Sequence, residues 1–81
     1  MAEYRDSRYL VVTQQDCFQE LHEPRAVAAH TGIYRCEGCG LEIALAAGSL
    51  FPRENAHYHS KASIPILWRL VVRAKTDCLV R

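Results

Sequence analysis

Eighty-one residues, 49% of them hydrophobic, suffice for one domain with a small core and exclude a disordered chain. A net charge of +1 excludes a strong overall field for nucleic acid or membrane. No apolar run approaches the roughly 20 residues that span a bilayer.

A chain this short commonly draws stability from a metal, a disulfide or a second subunit. The segment Met1-Ala2-Glu3-Tyr4-Arg5-Asp6 lacks the charged-then-apolar layout of a secretory signal, so the expected compartment is the reducing cytoplasm. There, a set of four cysteines points to metal binding more than to disulfides. Charge is unevenly spread. Residues 1–30 carry −2, residues 31–60 carry −1 and residues 61–81 carry +4.

In chain order, Tyr9-Leu10-Val11-Val12-Thr13 is rich in strand formers and predicts a strand. Asp16 to His22 has at best helical spacing through Cys17 and Leu21, and Pro24 interrupts it. Ala26-Val27-Ala28-Ala29 fits a short helix or a buried strand equally well, and Thr31-Gly32 marks a turn. Ile33-Tyr34-Arg35 predicts a short strand leading into Cys36-Glu37-Gly38-Cys39-Gly40, whose glycines allow the positive φ of a tight knuckle. Leu41 to Leu45 alternates like a half-exposed strand, and Ala47-Gly48-Ser49 turns the chain. Ile64 to Arg73 reads as a strand after Pro65. Its simple alternation puts Arg69 and Arg73 on one face and Trp68, Leu70 and Val72 on the other. The pattern as a whole is mainly β, a compact antiparallel meander. Residues 1–30 form an N-terminal extension with one strand, residues 31–73 the core and residues 74–81 a tail.

The chemistry concentrates in two pairs. Cys36 and Cys39 flank a glycine turn that directs both sulfurs to one side. After seventeen intervening residues, His57 and His59 stand two apart, the spacing that puts strand side chains on one face, with Tyr58 directed away. Two thiolates and two imidazoles make a tetrahedral zinc set, and this donor mixture suits Zn2+ better than iron. Glu54 offers an alternative oxygen ligand, and His22, His30, Cys17 and Cys78 are further donors that would replace one of the four. The plainer reading makes Cys17 and Cys78 small buried apolar residues and the two spare histidines surface or supporting groups. A thioredoxin-type redox pair would need a βαβ context that is missing around Cys36 and Cys39.

The stretch Gly32-Ile33-Tyr34-Arg35-Cys36-Glu37-Gly38-Cys39-Gly40 resembles the first knuckle of small bacterial zinc-ribbon proteins, whose pattern is Gly-x-Tyr-x-Cys-x-x-Cys-Gly. Gly48, Phe51-Pro52 and Trp68-Arg69-Leu70 occupy the matching later places, so the likeness covers residues 31–73. Where most ribbons carry a second Cys-x-x-Cys, this chain has Glu54-Asn55-Ala56-His57, and some relatives carry a histidine cluster there, similar to His57-Tyr58-His59. The resemblance implies a zinc-ribbon or rubredoxin-like core and one Zn2+. The function expected from these readings is a closed structural metal site presenting a surface to a protein or nucleic-acid partner, with Arg69, Arg73 and Lys75 as contacts and no catalytic residue. Two alternatives stay open. One is an enzyme with three protein ligands, an open zinc position and Glu54 as acid or base. The other is a regulator whose zinc thiolates respond to oxidants or metal supply.

Overall fold

Alternation in Ile33-Tyr34-Arg35-Cys36 asks for a strand with Tyr34 and Cys36 inward, and the protein forms it. The computed structural model describes residues 1–53 and 65–75. Four strands, β1 (Leu21–His22), β2 (Gly32–Cys36), β3 (Glu42–Leu45) and β4 (Trp68–Arg73), make one sheet in the spatial order β1-β4-β2-β3. Every pairing is antiparallel. β2 and β3 form a hairpin, and β4 inserts between β1 and β2. The protein is therefore mainly β, and its described residues include no α-helix. No helix among them is long and apolar enough to cross a membrane.

A second, shorter ladder lies beside the sheet. Residues 25–28 run antiparallel to residues 48–51, bridged at Val27 and Leu50. Ala28 N–H donates to the Ser49 carbonyl and Phe51 N–H to the Ala26 carbonyl, both at 2.8 Å. The ambiguous alanine run is thus extended. Alternate residues Ala28 and Phe51 turn inward while Val27 and Leu50 face solvent.

The core is Ala28, Tyr34, Cys36, Phe51, Trp68 and Leu70. Its aromatic rings carry most of the buried area, since each such side chain removes about 150–250 Å² from water. Phe51 is the hub. Its ring meets Tyr34 edge-on at 4.8 Å between centroids, stacks on His22 at 5.2 Å and lies nearly parallel to Trp68 at 6.4 Å. The Tyr34 hydroxyl donates to the His30 carbonyl at 2.5 Å, which gives the buried phenol its partner.

Three features depart from the pattern in the sequence. Tyr9 to Thr13 forms no strand. Ser7–Tyr9 is a 3₁₀ turn capped by the Asp6 carboxylate, and Val11 and Val12 stay 87% and 90% exposed. Strand formers need a partner backbone, and the local Asp6 cap competes with one. The N-terminal extension supplies its edge strand from Leu21–His22 instead, which pairs with Arg69 and Trp68. Asp16–Phe18 keeps one 3₁₀ turn of the expected helical spacing, and tertiary pairing overrides it at Leu21–His22.

The third departure is a β-bulge in β4. Tyr34 pairs with Leu70 but Ile33 pairs with Val72, so Val71 is an extra residue. The bulge turns Val72 to the outer face with Ile33 and returns Arg73 to the core face. Arg69 and Arg73 therefore lie on opposite faces of the sheet. The contacts agree, for Arg73 Nη1 approaches the sulfur of Cys17 (3.9 Å), which packs against the core, while Arg69 lies in the outer row with Arg35 and Glu42. Gly32 stands at this crossing, where a Cβ would come within 2.1 Å of the Val72 carbonyl oxygen.

Candidate metal centre

The β2–β3 turn holds the cysteine pair. Cys36 ends β2, residues 37–39 turn, and the hairpin closes through Cys36 N–H to the Leu41 carbonyl at 2.8 Å. Gly40 N–H returns to the Cys36 carbonyl at 2.8 Å. This geometry requires φ of +84° at Gly40, a conformation that costs an L side chain about 1–2 kcal/mol. A Cβ on Gly40 would also meet Arg35 Nη2 at 3.1 Å, because the Arg35 guanidinium lies over the turn.

The two cysteines occupy different environments. Cys36 is fully buried and Cys39 is exposed. Cys36 faces Trp68 across the ladder. Since Glu37 N–H donates to the Leu67 carbonyl at 2.8 Å, Cys36 and Trp68 form the adjacent, non-hydrogen-bonded pair, in which Cβ atoms come closest. His22 pairs with Trp68 from the other side, so His22, Trp68 and Cys36 form one row on the core face. The turn is tied to the start of β4 by the Glu37 N–H just described, on Leu67 immediately before the strand, and by an ion pair between Glu37 Oε1 and Arg69 Nη2 at 3.4 Å.

His57 and His59 lie outside the described residues, as do Glu54 and Cys78. Among the described residues, no three His, Cys, Asp or Glu side chains gather where they could hold a metal ion. Cys17 is half-buried against the core, near Arg73 and away from the cysteine turn. His22 stacks on Phe51, and His30 sits in the loop before β2 with its carbonyl on Tyr34. The cysteine turn fits one half of a zinc site: two thiols three positions apart, on a turn whose positive φ the sequence supplies. Of the proposed contact residues, Arg69 is engaged with Glu37, whereas Arg73 and Lys75 are exposed at the opposite end of the sheet.

Sequence reasoning missed the roles of Arg35 and Glu37, which brace the turn, and the place of His22 beside Trp68. The glycine at position 40 hinted at the first. The second depends on a pairing between residues 46 apart, which no local pattern announces.

Fold and site together define a small, mainly β protein with a four-stranded antiparallel sheet and a cysteine pair on a hairpin turn at one end. No family model and no solved structure matches the chain. It is 38% identical over 66 residues to Protein L of Escherichia coli, a match that spans 82% of this chain and 75% of that protein. The chain belongs to the family of that protein.

Proposed function

We propose that this protein is a small zinc-binding module, with the metal in a structural role and a basic surface that meets a protein or nucleic-acid partner. Cys36, Cys39, His57 and His59 would hold one Zn2+. The observation that carries the reading is the position of the cysteine turn at the end of the sheet where β4 begins. The chain re-enters the described region at Pro65, two residues before Leu67, whose carbonyl accepts from Glu37 in the turn. His59 is six residues before Pro65, a reach of up to about 20 Å in extended chain, so the tether is short enough to let the histidines meet the thiols.

The energetics favour the same reading. The six buried residues among those described make a modest core, and small domains commonly need a further cross-link. When bound, zinc would supply folding free energy on the order of 10 kcal/mol. The chain's own contribution is to fix the thiols: Gly40 supplies the turn, Arg35 covers it and Glu37 fastens it to β4. The partner surface would be the basic C-terminal part of the sheet, where Arg73 and Lys75 are the exposed members.

Elemental analysis of the purified chain tests the metal directly. One zinc per chain is expected, and cobalt substitution should give the absorption of a two-thiolate tetrahedral site. Protein isolated in folded form without metal would overturn the reading. Acidification through the histidine range should release the ion, because a protonated imidazole cannot ligate.

A further inference from the structure

The end of the sheet opposite the cysteine turn carries an open groove of about 490 Å³. His30 lines it from one stretch of chain and Arg73 and Lys75 from another, and no acidic residue lines it among the described residues. Its walls are fixed by backbone. Ala74 N–H donates to the Thr31 carbonyl and Ala47 N–H to Thr31 Oγ1, both at 2.8 Å, and the His30 carbonyl is held by the buried Tyr34 hydroxyl. Thr31 uses its oxygen as an acceptor for Ala47, so its hydroxyl proton is available to a ligand. Arg73 gives one nitrogen to the Cys17 sulfur, a weak acceptor, and keeps its other donors. The remaining walls are small and apolar, from Val11, Ala47 and Ala74.

A preformed groove lined by cationic and small aliphatic side chains matches carboxylates flanked by short apolar side chains. It does not match nucleic acid, which would want aromatic faces for its bases. Among the described residues no aromatic ring other than the His30 imidazole lines the groove, and the whole chain carries only +1. We propose that the groove binds a short acidic segment of a partner protein, with Asp or Glu carboxylates on Arg73 and Lys75 and aliphatic neighbours against Val11, Ala47 and Ala74. This deepens the reading of Arg73 and Lys75 as a partner surface and is independent of the metal.

The test is an amide-resonance titration of the full chain, as purified, with the blocked peptide Val-Asp-Val-Glu-Val. Shifts are expected at Thr31, Ala47 and Ala74, and they should collapse at about 0.5 M salt. The double substitution Arg73→Gln, Lys75→Gln should weaken binding about tenfold or more while leaving the rest of the spectrum unchanged. Three results would overturn the proposal: no shifts at millimolar peptide, equal binding of Val-Asn-Val-Gln-Val, or preferential binding of a 12-mer oligothymidylate. Zinc content measured on the same sample keeps failure of the metal reading distinct, since the peptide should bind whether or not that reading holds.

Discussion

Cys36 sits directly across from Trp68 in the β2–β4 ladder, and neither side chain keeps contact with water. A thiolate in such a place needs a compensating positive charge, whereas a neutral thiol packs there as a small apolar group. The two states make different predictions for the neighbouring Cys39, which is exposed.

If both sulfurs bind zinc, Cys39→Ser should lower stability about as much as Cys36→Ser, although it removes little packing. Chelation at neutral pH should abolish the same melting transition. Circular dichroism melts of the two variants, with Cys17→Ser as a control, decide the matter. An unchanged Tm for Cys39→Ser would remove it from the ligand set.

Trp68 is the single tryptophan of the chain, so its fluorescence reports one buried position. Cobalt bound at the cysteine turn should quench that emission, and zinc should not. Trp68→Ala should cost about 3–5 kcal/mol. That is comparable to the whole stability expected of a domain this size, about 4–12 kcal/mol. The variant should therefore lose its cooperative transition.

Glycine substitutions separate two kinds of constraint. Gly40→Ala forces an L residue to positive φ and crowds Arg35, a loss of about 1–2 kcal/mol or roughly 5–15 °C in Tm. Gly32→Ala sets a Cβ against backbone at the bulge, where no flexible side chain can yield. It should be the more damaging of the two by denaturant midpoint.

Burial pushes the Tyr34 phenol above its ordinary value of 10.0, assisted by the nearby Cys17. The folded state therefore favours the neutral phenol. Below about pH 10 that contribution is fully present, and it is lost as pH rises through the raised value. Absorbance titration should show an ionisation above pH 10 that Tyr34→Phe removes. The same substitution leaves the His30 carbonyl without its donor, so at neutral pH it should cost about 1–2 kcal/mol.

Local chemistry made β2, the cysteine turn and β3 legible in the sequence, because alternation and glycine placement act over a few residues. The inward faces of Trp68 and Leu70 were legible for the same reason. The bulge at Val71 was not, since it exists only relative to the register of β2, and it reversed the side on which Arg73 lies. Leu21–His22 carries too few residues for any periodicity and is a strand only because β4 lies beside it. Tyr9 to Thr13 shows the converse, strand-prone residues with no strand to join. Half of the candidate site was readable from Cys36, Cys39 and Gly40. The braces from Arg35 and Glu37 arise from contacts that sequence spacing does not encode.

The insertion of β4 between β1 and β2 has a consequence for biogenesis. As the polypeptide emerges from the ribosome, the β2–β3 hairpin can close early, but β1 must wait for a neighbour 46 positions downstream. The sheet is completed by its latest-made strand, so nascent chains halted before Trp68 would expose the tyrosine and phenylalanine rings that the finished protein encloses.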